Sequence, residues 1–330
     1  MPDRLNDLDL RLLGGFQRDF PLLVRPFARI GECLGLGEAE VLARLAALRE
    51  TGRIARVGAT VRPNTIGAST LAALSIPDER IEEVAARVSA EAGVNHSYLR
   101  EHDRNLWFVA TAPDGAALAA SLDGIRRDTG LDLLDLRLVR PFNIDLGFAL
   151  SGPRDAPAPR GEPDLAALRE TDRPILHALT QGLALVPRPF AQMAHEIGLE
   201  EEAVIARIAA LLEAGILTRI GIIVRHRAVG WSANAMVVWD VPETAMGAAG
   251  TALAALPGVT LCYQRQTIPG RWDYGLFSMI HARSRPEAQE VLGRATLLPE
   301  LAGARHETLF SVRCFKQTGA QIARPAVRAA

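Results

Sequence analysis

The chain repeats itself, and that repetition limits what it can fold into more than any other feature. Arg25-Pro26-Phe27-Ala28 recurs as Arg188-Pro189-Phe190-Ala191, an offset of 163 (188 − 25). The same offset relates Gly35-Leu36 to Gly198-Leu199, Ala46-Ala47-Leu48 to Ala209-Ala210-Leu211, Arg56 to Arg219 and Gly58 to Gly221. It drifts to 165 at Val94/Val259, Tyr98/Tyr263 and Arg100/Arg265, and to 170 at Leu106/Leu276, which places an insertion near 268–272. A length of 330 residues fits two units of about 150 residues each. Residues 151–163 are dense in proline and glycine, the composition of a linker between them.

Each copy carries the same order of elements. In copy one, 5–18 has apolar residues at helical spacing, 26–34 is a short second helix stopped by Gly35, and 38–51 is a third that Gly52 ends. Residues 53–62 alternate as a β-wing does. Three short helices and a wing read as a winged helix-turn-helix. Then follow strand 70–76, a helix from Pro77, a hairpin of 94–101 and 105–111, helix 116–129 and strand 131–139. Copy two repeats this with 235–241, 243–256, a hairpin across 259–281, 286–297 and 306–315. The expected fold is α+β, a tandem duplication of winged helix-turn-helix plus ferredoxin-like βαββαβ domain. The expected boundaries are 1–65, 66–150, linker 151–163, 164–228 and 229–330.

All three tyrosines, Tyr98, Tyr263 and Tyr274, fall in the two hairpins, with two of the four tryptophans, Trp107 and Trp272. On a strand, side chains two residues apart share a face, so His96, Tyr98 and Arg100 form one row. Tyr263 and Arg265 repeat the Tyr–Arg part of it. The copies also differ: Leu261 stands where copy one has His96, and Thr111 where copy two has His281. Such complementary loss is what an asymmetric site shared by two halves would leave.

Three features point to one family: the two Arg-Pro-Phe-Ala segments, the run from Gly93 to His102 with Asn105-Leu106-Trp107-Phe108, and the stretch from Tyr274 to His281. They resemble the sirohaem decarboxylases, paired Lrp/AsnC-like proteins of the alternative haem and d-type haem pathways, here with both partner types fused in one chain. The resemblance implies removal of carbon dioxide from two acetate side chains of sirohaem, giving didecarboxysirohaem, with no cofactor beyond the iron-containing substrate. It implies His96, Tyr98, Tyr263 and His281 as catalytic residues, with His96 as candidate axial ligand to the sirohaem iron. Arg100, His102, Arg104, Trp107, Arg265, Arg271, Trp272 and Tyr274 are the expected substrate-binding residues, since eight carboxylates on a flat ring call for guanidinium donors and aromatic walls. His177, His195, His226 and His306 have no matching constellation and read as structural or surface residues. Expected partners are sirohaem, the other internal copy, a second chain in a homodimer, and other proteins of d-type haem biosynthesis.

A net charge of −1 advertises no nucleic-acid footprint. The alternative is an Lrp/AsnC-type transcription regulator, whose third helix would enter the major groove. Helix 38–51 offers Arg44 and Arg49 but also Glu38, Glu40 and Glu50. Its counterpart has Arg207 against Glu200, Glu201, Glu202 and Glu213. That field has the wrong sign for phosphate, so DNA is not expected as a partner. The wing arginines (Arg53, Arg56, Arg62, Arg219, Arg225 and Arg227) suit either phosphates or substrate carboxylates. Three dispersed cysteines, no signal-like start and no long apolar run give a cytoplasmic expectation with no membrane segment.

Overall fold

The computed structural model describes residues 5–143, 150 and 161–320. Of the expected linker, 151–160 lie outside the described residues. Copy one starts with α1 (Asp7–Gly15), where the Asn6 side chain accepts the Asp9 amide at 2.8 Å. Next come α2 (Pro26–Leu34), with proline in its first turn and Gly35 closing it at φ 74°, and α3 (Glu38–Glu50). After them run β1 (Ile54–Val61), β2 (Ala68–Leu74), α4 (Ile81–Ala90), β3 (Val94–Arg100), β4 (Leu106–Ala112), α5 (Gly115–Thr129) and β5 (Leu133–Asn143). Copy two follows with α6 (Asp172–Gln181), α7 (Pro189–Ile197), α8 (Glu201–Glu213), β6 (Leu217–Val224) and β7 (Ala233–Asp240). It ends with α9 (Glu243–Ala255), β8 (Val259–Arg265), β9 (Leu276–Ala282), α10 (Arg285–Thr296) and β10 (Arg305–Gln317).

The eight strands after the helix-turn-helix units close on themselves in the order β10-β3-β4-β2-β5-β8-β9-β7. Two long strands make the closure. β5, 11 residues, pairs with β2 and then with β8 of the other copy; β10, 13 residues, pairs with β7 and then with β3. Each sheet packs its own helices on its outer face, with Val84, Leu118 and Phe108 in one core and Leu253, Val291 and Ile280 in the other. The inner faces meet in a third core around Trp107, Met236, Phe277 and Leu309. The two copies are thus bound by shared strands as well as by an apolar interface.

The wing departs from expectation. Each copy contributes one strand rather than a hairpin, and β1 pairs antiparallel with β6, with Gly58 opposite Gly221. A Cβ on Gly221 would lie 2.2 Å from the Gln17 carbonyl oxygen of copy one, and one on Gly58 2.4 Å from the Leu179 oxygen of copy two. Only glycine permits these approaches, which tie the strand of each copy to the first helical segment of the other. Both helix-turn-helix units accordingly share one core, from Leu12 and Phe27 to Phe190 and Leu211. Alternation announced a strand in 53–62, but nothing local could name its partner. Among the described residues, no helix is long and apolar enough to cross a membrane.

Candidate active site

Between the β1–β6 ribbon and the end of the eight-stranded closure lies a cavity of about 380 Å³. β3 brings His96, Tyr98 and Arg100 to it as a row: the His96 and Tyr98 rings stack at 6.5 Å, and the Arg100 guanidinium carbon sits 5.6 Å from the Tyr98 ring. Copy two supplies Tyr263 and His281, and His226 from the turn after β6. The ribbon adds Arg56, Arg62 and Arg219. No aspartate, glutamate or lysine lines the cavity among the described residues.

Each histidine has a distinct setting. His96 Nδ1 lies 2.7 Å from Asn95 Oδ1, and the Asn95 amide nitrogen donates to Thr111 Oγ1 at 3.3 Å. The amide oxygen therefore faces the ring, His96 donates from Nδ1, and the lone pair of the neutral ring is on Nε2. That is the arrangement in which a second-shell partner presents an imidazole to a metal. Burial, aided by Arg56, pushes His96 down to about 4, so the ring is neutral at pH 7. His226 is also pushed to about 4 by burial, with Arg227, His96 and Arg100 adding to the effect, and its ring centroid stands 4.7 Å from that of His281. His281 is buried with both ring nitrogens engaged, Nε2 by Asn234 and Nδ1 by Thr260, each at 2.7 Å.

Among the described residues, no carboxylate is hydrogen-bonded to Arg56, Arg62 or Arg100. Arg100 donates to Asn234 Oδ1 at 3.2 Å and to the Leu309 carbonyl at 3.0 Å, and burial lowers it to about 10. Burial likewise lowers Arg56. Arg62 donates to the backbone carbonyl of Gly161 at 2.8 Å. Burying guanidinium groups without counter-charges is costly, and an anionic ligand would offset that cost. Burial also pushes the Tyr98 phenol up, which keeps it protonated.

Other expected site residues stand elsewhere. Trp107 reaches the cavity edge but chiefly packs edge-on against Trp272 at 5.2 Å. His102, Arg104, Arg271, Trp272 and Tyr274 gather at the far end of the inter-sheet core, where acids meet them. His102 and Tyr274 both hold Glu307, each at 2.5 Å, while Arg104 and Arg271 converge on Asp132 at 2.9 and 2.5 Å. Arg265 lies behind Tyr263, its guanidinium carbon 4.7 Å from that ring, and donates to the Leu136 carbonyl at 2.8 Å. Arg25 and Arg188 of the repeated segments point away from the cavity and pair with Glu38 and Glu201. Among the described residues no group of three or more His, Cys, Asp or Glu could hold a metal ion.

This geometry coincides with a consistent set of likenesses. Residues 9–54 and 172–217 match the family model of the sirohaem decarboxylase NirDL-like HTH domain, and 66–142 and 228–316 match the AsnC-like ligand binding domain. The chain is 63% identical, over 97% of its length and 98% of the relative's, to the sirohaem decarboxylase NirDL subunit of Paracoccus denitrificans. It belongs to the sirohaem decarboxylase family. A sirohaem decarboxylase NirD subunit of Pseudomonas aeruginosa is 49% identical over its whole length, which spans 46% of this chain, so one half here corresponds to a complete subunit there. The solved structure of a sirohaem decarboxylase NirDL in complex with an iron-uroporphyrin III analogue superposes with a TM-score of 0.67 at 30% identity, covering 96% of this chain and 94% of that one.

Family membership and geometry together dismiss the regulator. Arg207, on the would-be recognition helix α8, is turned inward at 2.6 Å from the buried Asp172, and Arg44 of α3 pairs with Asp9 and Glu40. The strands that would form DNA-contacting wings pair with each other instead. His226, read from the sequence as structural or surface, is the clearest omission among the cavity residues of this sirohaem decarboxylase relative. It lies in a 3-10 turn with no periodicity to place it, and its counterpart at offset 163 is Pro63. Asn234 and Thr260 carry no sequence signal because their roles exist only across strands, and Asn95, although next to His96, is fixed in place by Thr111 on the neighbouring strand.

Proposed function

We propose that the chain is a carboxy-lyase of the cytoplasm that removes carbon dioxide from two acetate side chains of sirohaem, giving didecarboxysirohaem for d-type haem biosynthesis. The observation that carries this reading is the cavity between the two halves: four arginines, three histidines and two tyrosines line it, with no acid among the described residues. Such a wall suits a polycarboxylate that brings all the negative charge itself. Apolar groups such as Leu71, Leu261 and Met279 line the remainder and suit the faces of a macrocycle.

In each step the bond between the methylene carbon and the carboxylate breaks, carbon dioxide leaves, and the electron pair stays on the methylene carbon. One proton then completes the methyl group. The adjoining conjugated ring can spread that charge, so the reading requires no organic cofactor beyond the iron-containing substrate. Arg56, Arg62, Arg100 and Arg219 would hold the carboxylates that remain. His96, with Nε2 unprotonated, suits ligation of the substrate's iron better than proton donation. Tyr98 and Tyr263, one from each copy, line the cavity and would orient an acetate or deliver a proton.

Anaerobic incubation of the protein with sirohaem, followed by product mass, tests the reading: a loss of two carbon dioxide units is expected, and unchanged sirohaem would refute it. The His96→Ala and Tyr263→Phe variants should each be severely slowed. Near-normal turnover in both would refute the placement of the site.

A further inference from the structure

Asn234 joins the two halves at the cavity wall. Its Oδ1 lies 3.2 Å from Arg100 Nη1 and its Nδ2 lies 2.7 Å from His281 Nε2. A guanidinium has donors only, so the amide must turn its oxygen to Arg100 and its NH2 group to His281. His281 Nε2 is then an acceptor, and a neutral ring must carry its proton on Nδ1. That nitrogen lies 2.7 Å from Thr260 Oγ1, and the Thr260 hydroxyl donates to the Met279 carbonyl at 3.0 Å. The chain of donors runs one way, from a guanidinium to a backbone carbonyl, and neither end can reverse. A proton on Nε2 would set N–H against NH2.

We infer that Asn234 is a positioning residue which, with Thr260, holds His281 as a neutral imidazole protonated on Nδ1, so that His281 shapes the wall beside His226 and does not supply the proton that replaces carbon dioxide. Copy one has the same cross-strand pair in simpler form, Asn95 donating to Thr111 where copy two has Thr260 and His281. The strand position of Asn234 is taken there by Ser69, opposite Thr111. The Asn234–His281 link is therefore an addition of copy two at this strand position, and it reaches across to an arginine of copy one. The kinetic part of the inference rests on the decarboxylase reading; the tautomer does not.

Imidazole-15N spectra of the substrate-free protein at pH 7, with the His281 signals assigned through a His281→Gln sample, read the tautomer directly. A protonated Nδ1 and an unprotonated Nε2 are expected; an Nε2–H tautomer or an imidazolium would overturn the inference. Asn234→Asp keeps an acceptor for Arg100 but also accepts from His281, drawing the proton to Nε2. Its kcat should fall about 10- to 100-fold, the usual cost of losing an outer-shell partner, with KM changed by less than about threefold. Thr260→Val should lower kcat similarly, and Thr260→Ser, which keeps the hydroxyl, should restore it. Wild-type kcat in Asn234→Asp despite an altered tautomer would overturn the positioning role. Absence of decarboxylation in the wild type would strike the enzymatic reading and leave the tautomer result standing.

Discussion

The two ends of the inter-sheet core are built from the same residue types and differ in one respect. At the closed end, Arg104, Arg271, His102 and Tyr274 all find a carboxylate, Asp132 or Glu307, and the cluster is complete by itself. At the cavity end, Arg56, Arg62, Arg100 and Arg219 stand with three histidines and two tyrosines in a wall that no acid among the described residues lines. A cluster that holds its own acids fastens one half to the other; a wall lined by none suits an arriving anion. What separates fastening from binding here is where the acids are.

Trp107 touches both ends, so its removal should disturb the comparison most. Trp107→Ala should cost about 3–5 kcal/mol of stability, measured by denaturant unfolding, because a fully buried indole leaves a cavity behind it. Arg100→Met acts on the cavity end alone. Loss of a buried guanidinium that meets a ligand carboxylate should weaken sirohaem binding by about 2–5 kcal/mol in an anaerobic spectroscopic titration.

The two ends should also respond to acid in different windows. Burial holds His226 near 4, below its usual 6.5, so the unfolded chain binds a proton that the folded chain refuses. The stability contributed by its neutral ring is complete above about 6.5 and is lost as pH falls toward 4. At the closed end, burial works against the Glu307 carboxylate, but Tyr274 and His102 outweigh it and hold its pKa down, so its contribution fades only as pH drops below about 4.5. The gap between urea midpoints at pH 7 and pH 5 should therefore narrow in His226→Gln and not in Glu307→Gln. The smallest effect belongs to Asp132→Asn, which leaves Arg104 and Arg271 facing one another at a half-exposed position. It should cost about 1 kcal/mol or less, and less still in high salt.

Much of this architecture was legible because it is periodic. The offset of Arg25-Pro26-Phe27 against Arg188-Pro189-Phe190 revealed the duplication, and alternation through 94–100 placed His96, Tyr98 and Arg100 on one face, where the structure has them. Strand pairing between copies was not legible. Residues 54–61 carry no mark saying that their partner is 217–224. For the same reason Arg56 and Arg219 suit DNA or substrate equally, and His226 reads from the sequence as structural or surface. Arg104 and Arg271 look like Arg100 in sequence; only folding brings Asp132 to them, from a position 28 residues after the first and 139 before the second.

Charge reversal at each end in turn tests the central distinction most directly. Arg56→Glu and Arg104→Glu make the same chemical change, one in the cavity wall and one in the closed cluster. Under anaerobic single-turnover conditions with sirohaem, Arg56→Glu should abolish the loss of both carbon dioxide units while Arg104→Glu retains it. Full turnover in Arg56→Glu, or its loss in a folded Arg104→Glu, would contradict the account.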